Sequence, residues 1–375
     1  MRKIGTIYLS VIIALLAVWL LPRLYRIITA EGYSTPFTLY SCVINDFTAL
    51  EDSRKGDLLF KDTAGREYGD TVQPLFYHRA QKLDGTARYT INGRTLTDEE
   101  IETNNIYFTS TPEDANADMP PVYLMLESDP PRGDLQDAEY AFVNRKNGPA
   151  MIRIEDNTED KALSEAFRTS MAAAGFKFPA VLVNGNPNTR KAYDEGYLMT
   201  DSEGGLFHIK LLDGQPSVEH IQLPDSIDIK HVSLIEHDNR ASIAYLTDSK
   251  DRFYIIDSLR TLHPTDVKAD LSKQNMMLVG DVFHYTVKVS DSDGESFWAL
   301  RNGDFSTVKT LRRDYPESTV FDLPKYIFPV QLSMTSSLDG WVRPRFYNFS
   351  WIGLVVDVIA IGLFFGLRAR AKRRK

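Results

Sequence analysis

Cysteine is almost missing from this chain: Cys42 is the only one in 375 residues. A lone thiol closes no intramolecular disulfide, so packing alone must hold the fold. Cys42 lies twenty residues beyond Pro22, too far from the first apolar run for a lipid-anchor cysteine, and is expected as a buried strand residue. Histidine is scarce as well, with seven scattered copies and no His-Glu-x-x-His or paired-Cys spacing, so no metal site is expected. His231 and His237, six apart, would stand at opposite ends of one strand face. Neither Gly-x-Ser-x-Gly nor Gly-x-x-x-x-Gly-Lys-Ser/Thr occurs, which removes the nucleophile elbow and the phosphate loop. Asp291-Ser-Asp-Gly-Glu295 carries only part of a calcium loop and is expected as a turn. Carboxylates are plentiful, so they single out no glycosidase pair. The expectation is a non-catalytic protein without cofactor.

Long apolar runs are present at the two ends and nowhere between. Ile4 to Pro22 is nineteen residues without a charge, and Phe346 to Leu367 is twenty-two interrupted only by Asp357. About 20 apolar residues cross a bilayer core as a helix, because lipid offers no partner to a free backbone N–H or C=O. The expected layout is residues 1–3 inside, a first transmembrane helix over 4–28, an outer domain over 31–342, a second helix over 346–367 and a basic tail over 368–375. Six of the last eight residues are Lys or Arg, and basic flanks stay cytoplasmic, so both termini are expected inside the inner membrane. Arg23 and Arg26 weaken the asymmetry at the first helix. Trp341, Phe346, Tyr347 and Trp351 fit an aromatic belt at the outer boundary. The competing reading of the N-terminus, a cleaved signal peptide, is disfavoured by the length of the run and by Ile28 two positions before Ala30.

Charge is uneven. The whole chain carries −8, but residues 31–342 hold 31 basic and 50 acidic side chains, a net charge near −19. Such a field repels phosphate backbones and anionic surfaces, so nucleic acid is not an expected partner of the outer domain.

The outer domain reads as short strands and polar turns. Tyr197 to Asp201 then Leu206 to Ile209, Tyr245 to Asp248 then Phe253 to Ile256, and Tyr285 to Asp291 then Phe297 to Leu300 each make a strand, an Asp-Ser turn and a second strand. Looser hairpins are expected over 58–68 and 140–154. The aspartates are 47 and 43 residues apart, a spacing like that of propeller blades at about 40 to 50 residues each. The fold class expected is a mainly β outer domain, irregular and propeller-like with a few short helices, flanked by one N-terminal and one C-terminal transmembrane helix. An irregular multi-sheet domain is the alternative. Thr97-Asp-Glu-Glu100 forms a capping box, and Asp160 to Ala174 places Leu163, Phe167 and Met171 on one helical face ahead of Gly175.

The membrane segments hold the candidate partner-contact residues. A charge at mid-span costs about 2.5–3.5 kcal/mol on insertion scales and usually faces protein or water. Asp357 is that charge. It shares a face with Gly353, Ala360 and Phe364, while Gly362-x-x-x-Gly366 lies opposite. Thr6, Ser10, Ala14 and Ala17 make a small-residue stripe on the first helix. The alternatives for Asp357 are a bond to Ser10 or Thr6 within the hairpin, or a contact to another membrane subunit.

Ala174-Gly-Phe-Lys-Phe-Pro179, Gly185-Asn-Pro-Asn-Thr-Arg-Lys191, Asp194-Glu-Gly-Tyr197 and Leu206-Phe-His-Ile-Lys210 resemble a family of uncharacterised membrane-anchored proteins of Bacteroidota. The resemblance implies genes beside those of ABC-transporter subunits and hence a permease subunit as partner; it implies no catalytic residue. The function expected is a non-catalytic accessory subunit of an envelope (ABC-type) transport complex. The alternatives are an extracytoplasmic ligand- or glycan-binding sensor and an envelope hydrolase.

Overall fold

The computed structural model describes residues 2–30, 35–51, 58–130, 133–317 and 320–373. Met1, residues 31–34 at the start of the expected outer domain and residues 374–375 of the expected basic tail lie outside the described residues. The chain divides into two compact units, residues 36–314 and a second built from residues 1–35 and 315–375.

The larger unit is mainly β. Four-stranded antiparallel sheets follow one another, each strand paired with the next in sequence. Sheet 1 has strands Thr38–Ser41, Asp46–Glu51, Leu59–Asp62 and Glu67–Tyr68; sheet 2 has Tyr123–Met125, Tyr140–Arg145, Gly148–Arg153 and Thr158–Glu159. Sheet 3 has Leu182–Gly185, Tyr197–Thr200, Leu206–Leu212 and Gln215–Ile221; sheet 4 has Ile229–Leu234, Ser242–Asp248, Arg252–Asp257 and Leu262–Lys268. Sheet 5 has Asn275–Gly280, His284–Ser290, Gly294–Arg301 and Thr307–Asp314, and takes Ile106–Ser110 as a fifth strand on its first edge. All five expected hairpins are present.

Side chains alternate along a strand, and here both faces are used. Tyr245, Phe253 and Ile255 of sheet 4 turn to Leu278, Tyr285 and Val287 of sheet 5. Their neighbours Leu246, Tyr254 and Ile256 turn the other way, to Leu198 and Leu206 of sheet 3. Met199, Phe207 and Ile209 of sheet 3 then meet Phe142 and Met151 of sheet 2. Tyr40 and Phe47 of sheet 1 pack on Phe297 and Ala299 of sheet 5. The packing order is therefore 2-3-4-5-1. Strands covered on both faces lose the apolar–polar alternation, and Ser242–Asp248 is buried at every position, while Thr307–Asp314 is a half-exposed edge strand. Each large apolar side chain fully buried in this way contributes about 1.5–3 kcal/mol.

Helix α1 is Arg2–Thr29; α2 is His78–Leu83, α3 Asp98–Thr103, α4 Pro112–Ala115 and α5 Lys161–Ala173. Helix α5 starts where Asp160 accepts the Leu163 N–H at 2.9 Å and is followed by Gly175 at φ +95°; it lays Phe167 and Met171 on sheets 2 and 3. Half of the expected box at α3 forms: Thr97 accepts the Glu100 N–H at 3.1 Å, but the Glu100 carboxylate goes to Arg94. A complete capping box occurs instead at Thr111 and Asp114. Cys42 is buried as expected but follows the first strand rather than lying in it, and burial pushes its thiol up to about 12.

In the second unit α1 runs through Pro22 and is apolar from Ile4 to Pro22. The second expected span is shorter than residues 346–367. Arg345–Tyr347 pairs as a strand with Gln331–Ser333, Asn348 takes φ +53°, and Ser350 accepts the Gly353 N–H at 3.2 Å to begin the helix. Helix α6 is Leu323–Ile327 and α7 is Trp351–Arg373, whose apolar part is Trp351–Leu367. Local turn chemistry thus removes five residues from the front of the run.

Candidate functional site

The expected contact residues lie on α1 and α7 with unequal surroundings. A Cβ on Gly353 would come within 2.6 Å of the Phe328 carbonyl, so this glycine lets α7 close onto the end of α6. Gly362 and Gly366 have nothing within 4 Å of that position and remain an open stripe. Asp357 is half-buried and has no hydrogen bond or ion pair among the described residues. Ser10 donates to the Thr6 carbonyl of its own helix at 2.9 Å, and Ala14 is exposed.

A polar knot at the end of α1 has no counterpart in the sequence reading. Arg26 donates through Nη1 to the Tyr347 hydroxyl at 3.1 Å and through Nη2 to Gln331 Oε1 at 2.8 Å and to the Asp322 carboxylate at 3.3 Å. Tyr25 donates to the Phe321 carbonyl at 2.7 Å. Arginine's planar fork suits several acceptors at once. Charge counting treats Arg26 as a flank and carries no signal of this role.

The larger unit contains a buried ionic junction between sheets 3 and 4. Lys191 donates to Asp194 at 2.7 Å and to Glu236 at 2.5 Å, with all three side chains less than 10 % exposed. Asp194 also accepts from Ser128 at 2.6 Å, and Glu236 from the Glu195 N–H at 2.7 Å and Asn186 at 2.9 Å. Burial raises the Glu236 carboxyl against the pull of Lys191. Beside it, the Glu195 carboxylate pairs with Lys210 and lies 3.3 Å from His208 Nε2. His208 Nε2 donates to the Glu195 carbonyl at 2.6 Å, so Nδ1 accepts from Arg260 at 3.0 Å. Burial holds this imidazole neutral, down to about 4, and does the same to His237, whose Nε2 lies 3.1 Å from the Tyr245 hydroxyl.

Buried ion pairs carry desolvation costs that only full hydrogen bonding offsets, and this junction is densely bonded. Its heads are spent on one another, which makes it a clamp between the loop after Leu182–Gly185 and the loop after Ile229–Leu234. The segments 185–191, 194–197 and 206–210, which carry the family resemblance in the sequence, converge here.

His231 and His237 go to separate partners: His231 Nε2 lies 3.1 Å from Ser272 Oγ. Among the described residues no group of three or more His, Cys, Asp or Glu is arranged to hold a metal ion. A cavity of about 250 Å³ opens against the first strands of sheets 3 and 4. Asn184, His231 and Ser233 give it polar walls, and Leu182, Val232 and Leu271 an apolar floor.

Residues 37–300 match the family model described as Domain of unknown function (DUF4857), and the chain belongs to that family. No curated protein matches it. Among solved structures it is similar to PorZ, described as an essential bacterial surface component of the type-IX secretion system of Porphyromonas gingivalis, at 11% identity over 78% of this chain and 28% of that one, TM-score 0.24. It is similar to hydrazine synthase of Kuenenia stuttgartiensis at 10% identity over 53% and 51%, TM-score 0.27, and to the Dos1 propeller at 8% over 76% and 62%, TM-score 0.26. The chain spans from about a quarter to under two thirds of these proteins.

Proposed function

We propose that this member of the DUF4857 family is a non-catalytic, membrane-anchored accessory subunit of an envelope transport complex of the ABC type. Both termini are cytoplasmic in this reading, α1 and α7 span the inner membrane, and residues 36–314 form an irregular propeller-like ring outside it. The packing order 2-3-4-5-1, which returns from the last sheet to the first, supports the ring.

One observation carries the partner: Asp357 has no partner of its own among the described residues, and Ser10, one of the two alternatives from the sequence, gives its proton to the Thr6 carbonyl. A mid-span carboxyl facing a neighbouring helix hydrogen-bonds and helps specify the contact; facing lipid it is only a cost. Asp357→Leu at matched membrane levels should reduce co-purification of a membrane partner in mild detergent by about 3- to 30-fold, the range for interhelical polar contacts. Asp357→Asn should be milder because the amide still bonds. Full retention of partners by Asp357→Leu refutes the accessory-subunit reading at its best-supported residue.

A second reading, an extracytoplasmic binding protein for a small hydroxylated ligand, is favoured by the cavity beside Asn184, His231 and Ser233, whose mixed walls suit such a molecule. A binding protein that acts alone would purify without membrane partners.

A further inference from the structure

The stretch 320–350 is built inside out. Its polar groups turn toward each other: Arg26 is held by Asp322, Gln331 and Tyr347, and Asp339 by Arg343 and Arg345, with Gln331 fully buried. Its large apolar side chains turn outward. Nine of them are exposed in these 31 positions, against eleven in residues 36–314, among the described residues. Phe349 is 79 % exposed, Val342 74 % and Phe321 60 %. In water such a distribution loses the free energy that burial supplies, about 25 cal/mol per Å² of apolar surface.

Two facts identify what covers this surface. The stretch is continuous with both apolar helices: α6 packs on α7 at Gly353, and Tyr25 and Arg26 of α1 bond to it directly. The apolar part of α7, Trp351–Leu367, has 17 residues, about 25 Å at ~1.5 Å per residue, against about 30 Å of hydrocarbon. A short span draws its flanking structure into the boundary.

We infer that residues 320–350 form a collar embedded in the outer membrane–water boundary of the bilayer, with Phe321, Tyr326, Trp341, Phe346 and Phe349 among headgroups and upper acyl chains. The exposed Lys325 faces lipid phosphates. This rests on the membrane-anchored reading above and adds a lipid-facing surface that the spans do not require.

The test uses the purified full chain in phosphatidylethanolamine–phosphatidylglycerol vesicles, with and without phosphatidylcholine brominated in the upper half of one acyl chain. The four tryptophans, Trp19, Trp298, Trp341 and Trp351, allow single-tryptophan chains by Trp→Phe replacement. Trp341 emission should fall at least two-fold in brominated vesicles. Phe349→Trp in a chain with all four native tryptophans replaced by phenylalanine should give the same loss. Quenching of a Trp19-only chain without quenching at 341 and 349 overturns the collar and leaves the anchor standing. No quenching at any position overturns both, and quenching at only one of 341 and 349 overturns the collar as a unit.

Discussion

At the scale of single residues, aspartate organises the hairpins. Asp62 accepts the N–H groups of Ala64 and Arg66 and the side chains of Arg66 and Tyr68; Asp248 accepts those of Lys250 and Arg252 and the side chains of Arg252 and Tyr254. The shared pattern is Asp-x-x-x-Arg-x-Tyr. Asp201 and Asp257 bond the N–H groups at the same two offsets. The sequence carries the pattern at both places, but only the structure shows that the arginine and tyrosine side chains bond the aspartate in each, at different hairpins of their sheets. Asp248→Ala should lower stability by about 2 kcal/mol, since it strands buried and part-buried donors that a charged acceptor had satisfied; urea unfolding reads this directly, and a loss under 1 kcal/mol would contradict it.

Two other aspartates pull stability in opposite directions with pH. Burial works against ionisation of Asp270, but Lys230 and Lys273 outweigh it and hold the carboxyl down to about 2; its contribution is complete above about pH 4 and is lost as pH falls toward 2. Burial raises Asp281 to about 6 despite bonds from the Phe283 and His284 N–H groups. The folded state therefore prefers its protonated form, and stability falls as pH rises from about 4 through 6. Asp281→Asn should raise the thermal midpoint at pH 7 relative to the unaltered chain and leave it close to unchanged below pH 4. Equal effects at both pH values would rule out titration as the cause.

At the scale of elements, one position in each of four hairpin turns decides the geometry. The residue three after the aspartate is left-handed in all four: Gly65, Gly204, Asp251 and Arg260, with φ between 59° and 87°. This is the three-residue loop that ends in a left-handed residue, and glycine fills only two of the four. A search for glycine therefore finds half of these turns. Helices α6 and α7 show a similar divide. Gly353→Leu should force α6 off α7, because the added carbon meets backbone, whereas Gly362→Leu meets open space. Trypsin cleavage after Lys325 in detergent should accelerate in the first variant and stay unchanged in the second. The same rate in both would show that the α6–α7 contact does not depend on this glycine.

At the scale of the whole molecule the units differ in charge. Residues 36–314 hold 30 basic and 46 acidic side chains, a net charge near −16, whereas the C-terminal stretch from Arg368 to Lys375 is wholly cationic in its ionisable groups. The proposed topology makes a direct prediction. A reporter active only outside the cytoplasmic membrane should be active when inserted at the exposed Gly204 turn and silent when fused after the C-terminus. Matching signals at both sites would refute two spans with both ends inside.

The apolar ends, the mainly β character and the hairpins at Asp201, Asp248 and Asp291 are legible in the sequence, because these depend on periods and turn chemistry confined to a few neighbouring residues. The rest is set by contacts between distant segments. Which face of Tyr245-Leu246 meets which sheet depends on partners more than thirty residues away. The meeting of Lys191, Asp194 and Glu236, and the grip of Arg26 on residues more than 290 positions distant, are likewise long-range. The start of α7 departs from the hydropathy expectation for the converse reason: Phe346 and Tyr347 have the composition of a span, but a strand partner at Gln331–Ser333 and a left-handed Asn348 hold them out of the helix. Hydropathy records the preference of each side chain for an apolar medium; it contains no information on which distant backbone will claim its N–H and C=O groups.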